Sequence, residues 1–492
     1  MRNYILITIL FVLVLSSCNK LEELNVNPNN VPETHPQLLL TNIEWNAFQV
    51  AGVSPMFASR MVVQTDGENT SQFYNWNRGS FHAYGRLRNV TKMIEEAKRI
   101  KNTAYQALGK LFRAYYFFEL TMAFGDVPYS EALKGETESN FTPVYSSQKD
   151  IFTGILNELK EADQLLSGDN SIIDGDIIYG GNTKQWRKLI NSFRLKILIT
   201  LSKKGSDSGI NAASDFAGIV ANSPIMESND DSGQLEFINE LGSRYTEYNS
   251  SGYGSARYMD STFVQRLQDR KDPRLFIFCG QTRVAKEAGL AIGDFNAYEG
   301  GDPIRPYNDV NIKAINGLVS KVNLRYTTEP TTEAHMILGY SELQLILAEA
   351  SVRGWINQPA AELYEKGVKA SFAFYNNYAV NYAQYVDKAA AIEYLKQPLV
   401  DFSNATNNEE KIERIIMQKY LSSFLQGGWR AYFDQLRTGY PGFRILPGVT
   451  PPTRWMYPNS EYQENSDNVT EAITRQFGSG NDKIREITWW LK

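Results

Sequence analysis

Cysteine is nearly absent from this 492-residue chain, with Cys18 and Cys279 the only two. Two thiols placed so differently give no disulfide framework. Histidine is almost as scarce. His35, His82 and His335 are the full set, and none stands in HExxH or another metal-ligand spacing. A formal net charge of −5 excludes a basic footprint for nucleic acid. Nucleotide and acyl-transfer motifs are missing too. There is no G-x-S-x-G elbow, no phosphate-binding loop and no G-x-G-x-x-G after a strand. Carboxylates are plentiful, but nothing singles out the two that a glycosidase needs. Ordinary solvated helix faces account for most of them.

Aromatic residues are abundant, at 12% of the chain with 28 Tyr and 8 Trp. That exceeds the usual need of a core. The rings either fill helix–helix contacts or line a binding surface. The stretch Thr103–Leu133, TAYQALGKLFRAYYFFELTMAFGDVPYSEAL, shows the first use. Ala104, Leu108, Leu111, Phe112, Tyr115, Phe118 and Met122 recur by threes and fours, which predicts a helix. Tyr105, Tyr116 and Leu120 lie off that stripe, so other helices bury it on several sides. Arg113 and Glu119 interrupt it and argue against a membrane span. Gly125, Asp126 and Pro128 stop it. Tyr105, Leu108, Gly109 and Phe112 fit the opening of a tetratricopeptide repeat, with Gly109 the small residue that admits a partner helix.

Residues 1–17 form a secretory signal. Arg2 supplies the positive start, and Tyr4–Leu15 the apolar run, which is short for a bilayer span. Leu15-Ser16-Ser17-Cys18 is similar to the lipobox of bacterial lipoproteins, which places a lipid on Cys18. Residues 18–35 are a tether rich in Asn and Pro. The remaining 36–492 read as one unit. Helices are expected at Pro36–Val50, Tyr84–Lys101, Ser147–Leu166 and Thr183–Lys204. Others are expected at Ser261–Arg270, Ala334–Arg353, Pro359–Tyr378, Glu409–Leu425 and Trp429–Leu436. Asp169, Asp174 and Asp176 are a conceivable Ca²⁺ set, but without EF-hand spacing they read as turn chemistry. No cofactor is implied, and Cys279 reads as a small buried hydrophobe.

The fold class is mostly α. About four tetratricopeptide-like helix pairs form a scaffold over 36–205 and 334–440. A loop-rich insertion with few short strands spans 206–333, and an irregular segment spans 441–492. Aromatics in the Gly- and Asn-rich segments are the candidates for stacking on a ligand: Tyr74, Trp76, Tyr253, Tyr298 and Tyr307.

Several pieces together resemble the SusD/RagB-type outer-membrane lipoproteins, in their second, SusD-like subgroup. They are the lipobox at Cys18, Asn25-Val26-Asn27-Pro28-Asn29, and FRAYYFFELTMAFGDVPYSEAL at 112–133. DIIYGGNTKQWRKLINSFRLKI at 176–197, Asp272-Pro273-Arg274 and YSELQLILAEASVRG at 340–354 continue the match. IERIIMQKYLSSFLQGGWRAYFDQLRTGYP at 412–441, Pro452-Thr453-Arg454, Tyr457-Pro458-Asn459 and Trp489-Trp490 complete it in order. Arg430 follows Gly427-Gly428-Trp429, a segment where the family usually has an acidic residue before the Trp.

The resemblance implies a lipid-anchored (palmitate-type) outer-membrane protein that captures an oligosaccharide or peptide. It would pass this cargo to a SusC-type TonB-dependent barrel. It also implies a helical side facing the transporter and a loop side facing the ligand. A secreted glycan hydrolase and a pure assembly scaffold are the competing readings. Turnover of an oligosaccharide marks the first, and the absence of any small ligand marks the second.

Overall fold

The computed structural model describes residues 33–50, 52–205 and 209–492. The expected signal sequence, Cys18 and most of the expected tether lie outside the described residues.

Helix α1 (Gln37–Phe48) leads into four successive helix pairs. They are α2 (His82–Arg99) with α3 (Thr103–Phe124), and α4 (Gln148–Leu165) with α5 (Thr183–Thr200). After an insertion come α9 (Tyr340–Val352) with α10 (Ala360–Tyr378), and α11 (Asn408–Leu421) with α12 (Arg430–Thr438). Within the insertion lie α6 (Ala212–Asn222), α7 (Ser261–Asp269) and α8 (Tyr307–Ile315), with α13 (Ser466–Phe477) near the end. Strands are few and short. β1 (Val62–Gln64) pairs antiparallel with β4 (Arg257–Met259), Val62 opposite Met259. β2 (Val127–Pro128) pairs with β3 (Tyr145–Ser146). The mostly helical class with few short strands is as the sequence predicts.

Local chemistry explains the central helix. The Asn102 side chain caps α3, accepting from the N–H groups of Ala104 and Tyr105 at 3.0 and 3.2 Å. Gly125, at φ 89°, ends it. Thirteen of its side chains besides Ala104 and Gly109 are buried, among them Tyr105, Leu108, Phe112, Tyr116 and Phe117, so the helix sits inside the bundle. At Gly109 a Cβ would overlap the Ile94 side chain of α2. Gly367 plays the same part in the third pair, where Leu345 of α9 fills the space a side chain would take.

Two expectations are corrected. The helix predicted from Ala334 starts at Tyr340 instead. His335 and Leu235 exchange backbone hydrogen bonds of 2.9 and 3.1 Å, a bridge that holds the chain around His335 out of a helix until Gly339 leads into α9. Helical periodicity cannot register that distant partner. The insertion is also more helical than its composition suggests, since α6 has no counterpart among the predicted elements.

Buried ion pairs join the parts. Asp272 and Arg274, both wholly buried, form a bidentate pair. The Arg274 guanidinium also donates to Ser371 Oγ on α10 and Gln418 Oε1 on α11, each at 2.9 Å. One short motif thereby pins the insertion to two scaffold helices. Arg437 of α12 pairs with Glu349 of α9 in the same way. Arg454 pairs with Asp482 at 2.7 Å and ties the C-terminal segment together. The chain end closes on the first half, where the Trp490 backbone N–H donates to Gln148 Oε1 at 3.1 Å.

Candidate ligand-binding face

The loop side is built by three segments. In the first, Asn69 Oδ1 accepts from the N–H groups of Ser71 and Gln72 and curls the chain after β1. Arg60 and Tyr74 both hold left-handed backbone, at φ 59° and 55°. Those are uncommon conformations for such bulky residues. The Arg60 guanidinium secures both, donating to Gln72 O at 2.5 Å and lying 4.2 Å from the Tyr74 ring centre. It reaches Arg444 O of the C-terminal segment at 2.8 Å. Gln72 in turn donates to Pro303 O of the insertion at 3.0 Å. Residues 60–78, 300–307 and 440–445 therefore meet along one rim.

Asp302 and Arg444 crown this rim. They form a planar bidentate pair, with both bonds 2.8 Å. The Asp302 side chain is 26% exposed and that of Arg444 is 47% exposed. The hydrogen bonds from Arg444 hold the Asp302 carboxyl below its usual range, so the pair stays charged. Arg444 Nη1 has no partner among the described residues; Asp302 Oδ1 also accepts the Ile304 N–H, which leaves Oδ2 with one free lone pair. Such a pair is suited to gripping neighbouring hydroxyl groups. Five residues beyond Asp302, Tyr307 opens α8 and is 37% exposed.

Beneath the rim lies Asp260, fully buried beside Gly301. Its Oδ1 accepts from the Thr262 N–H at 2.7 Å and hydroxyl at 2.6 Å, capping α7, while Oδ2 has no partner. Burial pushes its pKa up to about 6, against the pull of the Thr262 bonds and of Arg60.

The five ring candidates are placed unequally. Tyr74 and Trp76 lie in a satellite core with Tyr432, and Trp76 stacks on Trp455 at 5.0 Å. The Tyr74 hydroxyl donates to Ala58 O and the Trp76 indole N–H to Arg454 O. Tyr253 is buried under the Arg257 guanidinium, and Tyr298 packs on Phe276 with its hydroxyl donating to Ile292 O. These four support the loop side from within, and Tyr307 alone of the five presents a face to solvent. Sequence reasoning missed Asp302 and Arg444. Neither carries a local signal, and their pairing spans 142 positions. Of the three aspartates weighed for Ca²⁺, Asp176 accepts four N–H donors, from Ile178, Tyr179, Gly181 and Trp186. That is turn chemistry.

The helical side holds a recess of about 730 Å³, counting its open mouth, between α9, α10, α11 and α12. Tyr340, Phe374 and Tyr375 line it, with a floor of the ion pairs Arg430–Glu342 and Lys419–Asp434 at 2.7 and 2.6 Å. Two of its hydroxyls are already engaged: Ser341 donates to Gly367 O, and Ser371 accepts from Arg274. Gln426 is different. Its Nε2 donates to Glu333 Oε1 and Ala334 O, which fixes the amide, and Oε1 is buried without a partner. Arg430, just after the Gly427-Gly428-Trp429 segment that lacks the usual acidic residue, clamps the turn before it by donating to Gly427 O and Ile337 O.

The SusD-like family, described as starch-binding and associating with the outer membrane, matches residues 28–458. No curated protein matches the chain. Among solved structures, a SusD homologue from Bacteroides fragilis is 54% identical over 94% of this chain and 100% of its own, with a TM-score of 0.89. A proposed outer-membrane protein linked to nutrient binding, from Bacteroides vulgatus, is 50% identical over 93% and 100%, with a TM-score of 0.90. A chitin-binding protein is 25% identical over 93% and 100%, with a TM-score of 0.75. With matched helices from end to end and half the residues shared, this chain belongs to the SusD-like family of outer-membrane nutrient-binding proteins.

Proposed function

We propose that this protein is a surface lipoprotein, anchored through Cys18, that captures an oligosaccharide and delivers it to a SusC-type TonB-dependent barrel. The observation that carries the ligand class is the rim: a partly exposed, bidentate Asp302–Arg444 pair, with the exposed Tyr307 five residues further along the chain. Sugars offer hydroxyl pairs to such ions and a flat apolar ring face to an aromatic. The chitin-binding relative favours a glycan over a peptide. Capture without turnover is expected.

The test is a glycan array and a peptide library screened with the chain from Asn19 onward. Saturable glycan binding weakened in Tyr307→Ala and Arg444→Gln supports the reading, whereas binding of peptides alone refutes it. Native pull-down from mild-detergent membranes should bring down a TonB-dependent barrel in near-equal amount. Cys18→Ala should release the protein from membranes, and its persistence there after a high-salt wash would contradict the anchor.

The unpartnered Gln426 Oε1 favours a second reading, in which a small ligand enters the helical recess. Variants at Tyr340 separate the two.

A further inference from the structure

Helix α2 carries an unusual concentration of positive charge. Residues 82–101 hold six Lys or Arg against two Glu, in a chain of net charge −5. Leu87, Val90, Met93 and Ala97 face inward. Arg88, Lys92, Glu95 and Arg99 follow at steps of four, three and four, which places them on the opposite, solvent face. That row is about 16 Å long at ~1.5 Å per residue. Arg88, Lys98 and Lys101 are exposed and have no ion-pair partner among the described residues.

This face stands where the tether joins the body. Arg99 pairs with Glu33 at 3.1 Å and approaches Thr34 O. Farther along, Asn89 meets Asn42 and Arg86 meets Asn46 O, so α1 runs back alongside α2. Leu38, 68% exposed, lies in the α1 row of Asn42 and Asn46, between those contacts and Glu33. The segment from Cys18 to Glu33 reaches at most about 50 Å when extended. A tether of that reach limits distance from a membrane but does not set orientation.

We propose that the α2 face, with Leu38 beside it, docks on phosphate-bearing lipid headgroups and orients the body on its membrane. The proposal rests on membrane anchoring through Cys18. Charge complementarity and the position of the tether root select this occupant. Each Lys or Arg near an anionic surface adds to the attraction, and salt screens it.

The test is vesicle flotation of the chain from Asn19 onward, which holds every core residue but no lipid. Phosphatidylcholine vesicles are compared with ones containing about a quarter phosphatidylglycerol, a typical anionic headgroup. The protein should float only with the anionic vesicles and should come off in about 0.5 M salt. The triple variant R88Q/K98Q/K101Q should bind roughly 100-fold more weakly, since each basic residue contributes roughly 5-fold. Its thermal melt should match the parent, because those side chains are exposed and form no ion pair among the described residues. Equal flotation with both vesicle types, no flotation with either, or full binding by the triple variant overturns the proposal. Cys18 is absent from this probe, so such a failure leaves the lipid anchor and its fractionation test untouched.

Discussion

Asp272 and Arg274 stand two residues apart and face each other through a bidentate ion pair from which solvent is wholly excluded. Proline between them shapes the turn, and the guanidinium spends its other donors on α10 and α11. Replacing Arg274 with Met should therefore cost about 3–5 kcal/mol, because it strands a buried carboxylate. Arg274→Lys should not rescue it, since an ammonium cannot supply the planar fork. The double variant D272N/R274M should recover much of the loss. Urea unfolding of the three proteins checks the order.

Gly109→Ala should destabilise the first helix pair by about 1–3 kcal/mol, as the new methyl forces Ile94 aside. At an exposed helical site the same change would stabilise, so the sign of the shift in thermal midpoint decides whether close approach governs this position.

Asp260 predicts a pH effect. Its folded pKa, about 6, lies above the ordinary 3.8. The folded state thus holds its proton more tightly, and the associated stability is full below about pH 4 and lost as pH rises through about 6. Asp260→Asn keeps the cap on α7 and removes the titration. The variant should match the parent near pH 4 and exceed it at pH 8 by at most about 3 kcal/mol. Denaturation at the two pH values tests this, and a gap that does not grow with pH would refute the burial argument.

On the ligand side, Tyr307→Ala and Arg444→Gln should each weaken binding of the array-selected glycan about 5- to 30-fold, or ~1–2 kcal/mol. Tyr340→Ala, in the recess of the helical side, should leave it unchanged. Calorimetric titration of the three variants assigns the face, and the reverse pattern would move the site to the recess beside Gln426.

The helical scaffold was legible in the sequence because its signals are local. Apolar spacing marked α3 and α4 to within a residue or two, Asn102 and Gly125 marked where α3 starts and stops, and Gly109 marked a close approach. The insertion was less legible. α6 is short, and the non-helical run before Tyr340 depends on the bridge to Leu235, a hundred positions earlier. Loop tyrosines were the least legible, because a ring among Gly and Asn has the same sequence signature whether it plugs a core or awaits a sugar.

Sequence alone determined the helix pairs and the charge excess on α2, since each depends on neighbours within a few residues. Tertiary structure alone decided which face each aromatic shows. Tyr74 and Trp76 turned inward because Tyr432 and Trp455 arrive from distant parts of the chain to cover them, with Arg60 of the same segment over the Tyr74 ring. Asp302 and Arg444 turned outward together for the same reason: the partner that makes each useful is brought by the fold.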